Sequence, residues 1–504
     1  MLAKIKGATL SGITAEIIEI EVGLLGGLPS FQIVGLADKT IDESKERINL
    51  AIKSIGAKPP NKINARVIVN LSPADIKKEG SHLDLPIALA FLYASKQIKS
   101  LPSDILFLGE LGLDGKLKKI RGALPIVLKA GQYFKAVVVP QDNKKEIQFI
   151  KDIDIYCCED LQEIIDFLEE KRSFSPLSPE PFKTTTDPTN TLSDFSFIII
   201  NDYILQGIIL SAIGKHNLLL YGPPGTGKTL IAHNLVNLLP DLNYEESLEV
   251  SSIYSALGLL QDQLITKPVL RNPHHSSSAT AILGGGKEAK PGEVTLSHRG
   301  VLFFDELPEF RRDILEGIRE PLETEEIVIA RAKKTIKYPA SFLFVGAYNP
   351  CPCGYYGDEQ IECKCTIAEI NKYQKKISGP ILDRIDIYLY VPRINSEKIL
   401  SFKENNLNQI KTKIIETVEK MQYRYRKENF KYNSKIPVKA LKTYCKLDTA
   451  SENFLKKAID AYRLSLRSVH KILKLARTIA DYNDQENIKL EHLSQALQYK
   501  LSTN

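Results

Sequence analysis

The stretch from Gly222 to Thr229, which reads GPPGTGKT, constrains the fold of this chain more than any other feature of its sequence. It follows the apolar run LLLY and precedes LIAHNLV, so the order is strand, glycine-rich loop and helix. The backbone N–H groups of such a loop, with the N-terminus of the next helix, can surround a phosphate group. We therefore predict a nucleotide-binding α/β domain with a parallel sheet.

The residue types in this loop suit the chemistry of ATP and Mg²⁺. Lys228 can reach the β- and γ-phosphates, and the hydroxyl of Thr229 can bind the metal ion. The predicted nucleotide-binding residues are Gly222, Pro223, Pro224, Gly225, Thr226, Gly227, Lys228, Thr229 and Leu230, together with Asp305.

Two further apolar runs end in polar side chains that ATP hydrolysis would use. The run GVLFFDE delivers Asp305 and Glu306 at the carboxyl end of a buried strand, where α/β sheets bind ligands. Asp305 would hold Mg²⁺ together with Thr229, and Glu306 would orient and deprotonate the attacking water. The run FLFVGAYNP ends in Asn349, whose amide can hold that water or sense the γ-phosphate. These residues predict an ATPase.

Composition is that of an ordinary globular protein. Hydrophobic residues make up 43% and charged residues 25% of the 504 residues, which leaves room for about two to four domains. The net charge of +6 permits a nucleic-acid surface without requiring one.

The N-terminus lacks the apolar core of a signal peptide, and no stretch reaches the roughly 18 apolar residues that span a bilayer. We expect a cytoplasmic protein with no membrane partner.

The pattern of the chain changes at three places. Residues 171–192 are rich in Pro, Ser and Thr and are predicted to be an exposed linker. Residues 1–170 mix strand-like and helix-like runs, as expected of an α+β domain, and residues 193–395 hold the α/β nucleotide-binding core. Residues 396–504 read as almost purely helical and highly charged.

Four of the seven cysteines lie close together in NPCPCGYYGDEQIECKC, as Cys351, Cys353, Cys363 and Cys365. These form two Cys-x-Cys pairs, and four thiolates can surround Zn²⁺ tetrahedrally. Since all four ligands would come from the chain, the zinc would be structural and would clamp a surface loop. Buried free cysteines and a redox pair are the alternatives that the spacing leaves open. The odd number of cysteines argues against a disulfide framework.

Longer motifs resemble a known family. The stretch NPHHSSSATAILGGGKEAKPGEVTLSHRGVLFFDELPEF, then AYNPCPCGYYGD and SGPILDRIDIYL, resemble the magnesium-chelatase-like branch of AAA+ ATPases, specifically the YifB/ComM family. The resemblance covers nearly the whole chain. It implies a bacterial cytoplasmic homohexamer that uses ATP to drive DNA branch migration in recombination during natural transformation. Single-stranded or branched DNA and recombination proteins are the partners that it implies.

The resemblance also assigns roles to two arginines. Arg384, in LDRID, matches the arginine finger of this branch and would complete the site of a neighbouring subunit. Arg467, in LSLRSVHKILKLARTIAD, matches the second sensor of a C-terminal helical lid. The chain departs from the family just before the phosphate loop, where it lacks the usual Gly-Gln and basic helix. That departure concerns the adenine pocket and leaves the phosphate chemistry intact.

The first 170 residues resemble the proteolytic domain of Lon, an α+β fold like domain 2 of ribosomal protein S5. The runs FLGELGLDGKLKKIRGALPIVLKA and KKEGSHLDLPIALAF carry this resemblance. Leu124 stands where the catalytic lysine of Lon should be, and His82 falls near the serine position, next to Ser81. Without a base Ser81 is not activated. We expect an inactive domain that serves docking or ring formation.

A basic hairpin is predicted before the strand that ends in Asn349. The sequence EEIVIARAKKTIKYPASF places four basic residues near the tip, namely Arg331, Lys333, Lys334 and Lys337. In ring ATPases of this branch such a hairpin faces the pore, where lysines contact DNA phosphates. The glycine-rich residues 276–292 would be its companion. For His274 and His275 a packed turn is favoured over a role as metal ligands. A solvated hairpin with no partner is the alternative.

Three functions compete for this sequence. A hexameric ATP-driven DNA motor of the helicase or branch-migration type is the leading one. A metal-chelatase motor subunit and an ATP-gated chaperone or scaffold are the alternatives. The N-terminal domain and the cysteine loop argue against the chelatase subunit, because the resemblance to such subunits is expected only after the linker.

Overall fold

The computed structural model describes residues 2–35, 39–75, 77–78, 80–183, 201–261, 263–286, 288–331, 334–393 and 407–501. The chain divides into two compact units. The first unit comprises Met1–Lys183 and Asn243–Ile265, and the second comprises Thr184–Leu242 and Thr266–Asn504. Over the described ranges, no helix has the length and apolar character needed to cross a membrane.

The first unit is built on two larger sheets and one short strand pair. Its strands are β1 (Leu2–Ser11), β2 (Thr14–Gly26), β3 (Ser30–Val34), β4 (Ala65–Ser72), β5 (Ile105–Phe107), β6 (Glu110–Leu111), β7 (Leu117–Lys118), β8 (Ala136–Pro140) and β9 (Asp154–Cys158). The larger sheet has the order β1-β2-β4-β3, in which only β3 and β4 run parallel. The other sheet is parallel with the order β5-β8-β9, and β6 pairs with β7.

Alternating residues explain the larger sheet of this unit. In β4 and in the first half of β1, buried apolar residues such as Ile5, Val67 and Val69 alternate with more exposed ones, whereas residues 7–10 of β1 are all buried. The helices before the linker are α1 (Lys39–Ser54), α2 (Asp84–Ala94), α3 (Ala123–Ala130), α4 (Lys144–Ile147) and α5 (Leu161–Leu168). Helix α2 is apolar on all sides and lies in the core of the unit.

The remaining strands all belong to the second unit. They are β10 (Leu218–Tyr221), β11 (Leu270–Arg271), β12 (Gly284–Gly285), β13 (Lys290–Pro291), β14 (Val301–Phe304), β15 (Glu326–Arg331), β16 (Lys334–Pro339), β17 (Leu343–Tyr348) and β18 (Ile387–Tyr390). Five of these strands form a parallel sheet in the order β11-β14-β17-β10-β18. Because the strands are parallel, their carboxyl ends meet at one edge of the sheet. The pairs β12–β13 and β15–β16 are antiparallel.

The helices after the linker are more numerous. They are α6 (Asp202–Gly214), α7 (Lys228–Leu238), α8 (Tyr244–Ala256), α9 (Ala279–Leu283), α10 (Glu293–Leu296), α11 (Arg312–Gly317), α12 (Arg319–Thr324), α13 (Ile367–Gln374), α14 (Gly379–Leu382), α15 (Leu407–Arg424), α16 (Val438–Tyr444), α17 (Thr449–Tyr462), α18 (Leu466–Tyr482) and α19 (Leu490–Leu501). Five short 3₁₀ helices occur in the described chain, namely Pro60–Lys62, Ser81–Leu83, Gln141–Asn143, Leu307–Glu309 and Asn433–Lys435.

Helix α8 belongs to the first unit although it lies between α7 and β11 in the sequence. The carbonyl of Ser255 accepts a hydrogen bond from the N–H of Gly122 at 3.0 Å, just before α3. The buried carboxylate of Glu146 accepts hydrogen bonds from the hydroxyl of Ser255 at 3.1 Å and from the N–H of Leu124 at 3.0 Å. One carboxylate thus joins α8 to the N-terminus of α3.

The predicted fold class is confirmed in outline. The structure has mixed sheets at the N-terminus, a parallel sheet after the linker and a helical C-terminal region. Residues 171–183 of the predicted linker carry no helix or strand, and residues 184–192 lie outside the described part of the chain. The domain boundaries at 171, 193 and 396 stay predictions.

Candidate active site

The phosphate loop connects β10 to α7, and Lys228 is the first residue of the helix. Its Nζ donates hydrogen bonds to the carbonyl oxygens of Gly222 and Pro223 at 2.8 and 2.7 Å. The hydroxyl of Thr226 also donates to the carbonyl of Pro223, at 3.0 Å. Burial lowers the pKa of Lys228 to about 8, although the nearby Asp305 opposes this effect. The loop thus holds the lysine in place with two carbonyl groups that phosphate oxygens could replace.

Thr229 and Asp305, which come from separate sequence motifs, are in direct contact. The hydroxyl of Thr229 donates a hydrogen bond to Oδ2 of Asp305 at 2.7 Å. The other oxygen, Oδ1, accepts the N–H of Glu306 at 2.9 Å. A hydroxyl beside a carboxylate offers two oxygen ligands. Mg²⁺ in nucleotide sites is typically bound by one or two such protein groups and by the phosphates of the nucleotide. These two residues fit the predicted metal site.

Glu306 follows β14 directly and has a left-handed backbone conformation, with φ of 51°. Its Oε2 lies 3.3 Å from Nδ1 of His275, which comes just after β11, the neighbouring strand of the sheet. His275 is half-buried, whereas His274 is exposed. The interpretation as a packed turn therefore missed that His275 contacts the predicted catalytic carboxylate. The position of His275 at the end of the adjacent strand is the signal that could have found it.

Asn349 lies just after β17 and shares a cleft with Glu306. The cleft has a volume of about 380 Å³. Its lining residues are Glu306, Glu309, Asn349, Pro352, Glu369, Lys372, Tyr373 and Lys376. A polar amide and a carboxylate at the ends of two adjacent parallel strands can both reach one water molecule or phosphate group. The lysines of α13 and its C-terminal end were not identified from the sequence.

Arg384 is buried and makes three contacts within its own chain. Its guanidinium donates to the carbonyl oxygens of Arg319 at 3.2 Å and of Pro380 at 2.7 Å, and it lies 2.7 Å from Oε1 of Glu323. Burial lowers the pKa of Arg384. Arg467 is exposed at the start of α18 and contacts the same oxygen of Glu323. The two arginines therefore meet at a carboxylate that the sequence did not identify.

A buried ionic network lies behind Arg384. The carboxylate of Asp386 is 2.8 Å from Nζ of Lys471, accepts the N–H of Asn217 at 2.9 Å, and has His216 at 3.9 Å. Asn217 also donates its side-chain amide to the carbonyl of Arg384 at 2.9 Å. Burial alone would raise the pKa of Asp386, but the nearby cations, led by Lys471, lower it to about 2. The network connects α18 to the segment that carries Arg384.

The four predicted zinc ligands come together. The Sγ atoms of Cys351, Cys353, Cys363 and Cys365 lie within 4.8 Å of one another. Three of the separations are 3.3, 3.6 and 3.6 Å, close to the ~3.8 Å edge of a tetrahedron with Zn–S bonds of about 2.3 Å. Backbone N–H groups, led by that of Tyr355, lower the pKa of Cys353 to about 6, whereas the pKa values of Cys363 and Cys365 are raised, as expected when one thiolate lies beside other thiols. The donor set fits Zn²⁺.

The surroundings of these cysteines differ from the predicted surface loop. Cys351 is buried, and the other three are half-buried. The cluster begins two residues after Asn349, and Pro352 lies in the wall of the cleft that Asn349 and Glu306 share. The loop is therefore part of the surroundings of the candidate active site.

The basic hairpin forms between β15 and β16, with Arg331 opposite Lys334 at its end. Lys333 and the side chains of Arg331 and Lys334 lie outside the described part of the structure. Lys337 is exposed but stands opposite Val328 in the middle of the hairpin, so its predicted place near the tip is wrong. Its Nζ lies 3.6 Å from Glu326. The companion stretch 276–292 contains α9 and the β12–β13 pair.

The residues compared with the Lon dyad lie in the first unit. The hydroxyl of Ser81 contacts the carboxylate of Glu110. His82 is buried, with Nε2 at 2.8 Å from the carbonyl oxygen of Ala8, and Leu124 is buried in α3. Ser81 thus faces a carboxylate, while His82 contacts the backbone of β1.

Comparison with known proteins adds family relationships to this geometry. Residues 194–399 match the family described as magnesium chelatase, subunit ChlI. Residues 404–500 match the C-terminal region of that subunit. Residues 20–143 match a family described as subunit ChlI of Mg-chelatase. The expectation that similarity to chelatase subunits begins only after the linker is therefore wrong.

Individual proteins match over very different lengths. The competence protein ComM of Haemophilus influenzae is 37% identical over 99% of this chain and 97% of its own length. The protein YifB of Escherichia coli is 37% identical over 97% of this chain and 95% of its own length. The magnesium-chelatase 38 kDa subunit of Rhodobacter capsulatus is 29% identical over 32% of this chain and 51% of its own length.

Proposed function

We propose that this chain, which belongs to the magnesium chelatase ChlI-like family together with ComM and YifB, is a hexameric ATP-driven DNA motor. The motor would act in DNA recombination or natural transformation, in the cytoplasm, as a helicase or branch-migration enzyme. The observation that carries the proposal is similarity along the whole chain to a competence protein, and the contact between Thr229 and Asp305 beside the phosphate loop supports it.

In this proposal the nucleotide site works by positioning. Lys228 would exchange its two carbonyl partners for the β- and γ-phosphate oxygens. Thr229 and Asp305 would hold Mg²⁺, whose charge stabilises the phosphate oxygens when it is bound. Glu306 would take a proton from the attacking water, and Asn349, in the same cleft, would orient that water.

The contacts of Arg384 and Arg467 support the proposed hexameric ring. Arg384 and Arg467 contact Glu323 in their own chain, and within the described residues neither contacts the phosphate loop. We therefore propose that Arg384 serves the site of a neighbouring subunit, as the finger that stabilises charge on the γ-phosphate, and that Arg467 is the second sensor of the helical lid. ATP hydrolysis would then depend on assembly of the homohexamer.

DNA is the proposed substrate of the motor, contacted by the basic hairpin of β15 and β16. Lys337 is exposed on this hairpin, and Lys333 and Lys334 belong to the same run of the sequence. The alternative of a chelatase subunit receives less support, because the 38 kDa chelatase subunit aligns with only 32% of this chain. An ATP-gated scaffold remains the second alternative, and DNA-dependent ATP hydrolysis separates it from a motor.

Two structural roles complete the proposal. The four cysteines would hold one structural Zn²⁺, since their sulfur atoms have tetrahedral spacing. Residues 1–170 would form an inactive Lon-like domain for docking recombination proteins or for ring formation. The partner of Ser81 is the acidic Glu110, which cannot be the cationic lysine of a serine–lysine dyad.

The test of the proposed function is ATP hydrolysis with and without single-stranded or branched DNA. A motor should hydrolyse ATP faster with DNA, whereas a chelatase subunit or a protein scaffold should not respond.

Changing Lys333, Lys334 and Lys337 together to Ala should weaken DNA binding and reduce its salt dependence, because fewer counterions are released. A matched control changes the same number of exposed lysines elsewhere, namely Lys439, Lys442 and Lys446. Equal DNA binding by both variants would contradict the hairpin assignment.

A further inference from the structure

The four-cysteine loop touches the phosphate loop through one residue. Gly354 has φ of +88°, and a Cβ atom built on it would lie 2.7 Å from Cδ of Pro224 and 3.9 Å from Cβ of Asn349. The backbone of Gly354 therefore packs directly against the phosphate loop and beside the predicted sensor. No side chain can be added at this position without moving Pro224 or the loop.

Gly354 is also tied to the cysteines on its N-terminal side. Its N–H donates a hydrogen bond to the carbonyl of Cys351 at 3.0 Å, and it follows Cys353 directly in the chain. The thiol of Cys351 accepts the N–H of Tyr356 at 3.3 Å. The position of Gly354 is thus set by the same turn that presents two of the four sulfur atoms.

Other contacts fix the far side of the turn. The hydroxyl of Tyr390 donates to the carbonyl of Gly357 at 3.3 Å, and Arg393 lies 3.4 Å from the carboxylate of Asp358. A metal ion would cross-link Cys351 and Cys353 to the second pair of cysteines, which removes conformational freedom from the segment between them. The cross-link would hold Gly354 in its contact with the phosphate loop.

We propose that the metal-bound four-cysteine loop is a positioning element of the nucleotide site. Zn²⁺ would hold Gly354 against Pro224 and keep Asn349 in its cleft, so that the metal-bound protein binds ATP more tightly. By thermodynamic reciprocity, bound ATP strengthens the binding of Zn²⁺ by the same factor. The inference rests on the proposed binding of ATP and zinc, and it adds a coupling between them that neither binding event requires.

The coupling is measured with a fluorescent, non-hydrolysable ATP analogue and a chromogenic zinc chelator. Nucleotide affinity is compared in zinc-loaded and zinc-stripped protein, and zinc affinity is compared with and without the analogue. We expect both affinities to change by one common factor, about 5- to 150-fold for typical coupled sites. If both ligands bind and neither affects the other, the inference is overturned while the proposed function stands. If no zinc binds, the zinc assignment fails, and the inference fails with it.

Two glycine substitutions in one loop isolate the contact. Gly354 and Gly357 both have left-handed backbone conformations, with φ of +88° and +81°, but a Cβ atom on Gly357 would meet nothing within 4 Å. Gly354→Ala should keep zinc and weaken binding of the analogue. Gly357→Ala should alter zinc binding and nucleotide affinity only through the strain of placing alanine in a left-handed conformation, which both variants share. Equal nucleotide affinity in the two variants would reject the contact as the route of coupling.

A third substitution covers the case in which Gly354→Ala disrupts the loop. Pro224→Ala removes the Cδ atom that Gly354 packs against and leaves all four cysteines in place. In that variant, we expect nucleotide affinity to become the same with and without zinc. A zinc dependence as large as in the unchanged protein would overturn the proposal.

Discussion

Arg384 and Arg467 contact the same carboxylate oxygen, Oε1 of Glu323. Arg384 precedes β18, and Arg467 lies in the first turn of α18, so the contact joins the parallel-sheet core to the helical region. Two guanidinium groups share one carboxylate, and Asp383 and Glu316 also lie near Arg384. A phosphate group from outside the chain could replace Glu323 as the partner of either guanidinium.

The first prediction concerns Arg384. Arg384→Ala should bind ATP normally and hydrolyse it about 10³- to 10⁵-fold more slowly, since the charge developing on the γ-phosphate is no longer neutralised. Arg312→Ala is the matched control, because the side chain of Arg312 is 88% exposed. Steady-state ATPase assays with and without DNA measure the difference.

Mixing two inactive chains shows whether Arg384 acts between subunits. In rings of Arg384→Ala and Glu306→Gln chains, some interfaces pair an intact Glu306 with an intact Arg384 from the neighbour. Partial ATPase activity should therefore return in the mixture. If mixed rings form and activity stays absent, Arg384 acts within its own subunit or has no catalytic role.

The second prediction separates binding from chemistry in the nucleotide site. Glu306→Gln should keep ATP affinity and lose about 10²- to 10⁴-fold in hydrolysis rate, because an amide cannot take a proton from water. Lys228→Ala should lose affinity itself, because the loop then lacks its phosphate-binding cation. Titration with a labelled analogue and an ATPase assay give the two values, and normal turnover by Glu306→Gln would disprove its role as the base.

The third prediction concerns pH. Lys228 has a pKa of about 8 in the nucleotide-free chain, lowered by burial, and bound phosphates should raise that pKa. ATP binding should therefore take up a proton above pH 8, and affinity should fall by up to tenfold per pH unit there. Calorimetry in buffers with different ionisation enthalpies measures the uptake. The same titration with Lys228→Ala should lack this dependence.

The fourth prediction tests the buried pair of Asp386 and Lys471. Asp386→Asn should lower the free energy of unfolding by about 3–5 kcal/mol at pH 7, because Lys471 is left buried without a counter-charge. Since the pKa of Asp386 lies below its ordinary value of 3.8, at about 2, the stabilisation is complete above pH 3.8 and is lost as pH falls towards 2.

Urea unfolding at several pH values measures this effect. The difference between Asp386→Asn and the unchanged chain should stay constant from pH 7 to about 4 and shrink below that. Asp484→Asn provides the control, since Asp484 forms an exposed pair with Lys420 and should contribute far less than the buried pair. Equal losses of unfolding free energy in both variants would contradict a larger stabilisation by the buried pair.

Local patterns predicted the arrangement at the edge of the parallel sheet. Thr229 and Asp305 are 76 residues apart, yet both follow apolar strands whose carboxyl ends must lie at one edge. The spacing of the cysteines predicted their cluster for a similar reason, because few arrangements bring four thiols together across one turn. Where short motifs constrain the geometry, the sequence was sufficient.

Contacts between distant segments of ordinary composition could not be predicted. Glu323 lies in the run REPLET, whose charges look like those of any solvated helix, and only the packing of α18 brings Arg467 to it. The contact of Gly354 with Pro224 depends on how two loops meet, which no local pattern encodes. The place of Lys337 depends on hairpin register, which the tip sequence ARAKKT leaves unspecified because it lacks a glycine or asparagine turn signal.

The place of α8 has a consequence for how this chain could be shortened, fused or cut. The backbone passes from one compact unit to the other near residues 183, 242 and 265, so severing the linker leaves two covalent passages intact. A gene fragment that began after the linker would encode α8 without Glu146 and Gly122, whose hydrogen bonds to Ser255 hold this helix in the first unit. Replacing the N-terminal unit by another domain would therefore also require changes in the helix between α7 and β11.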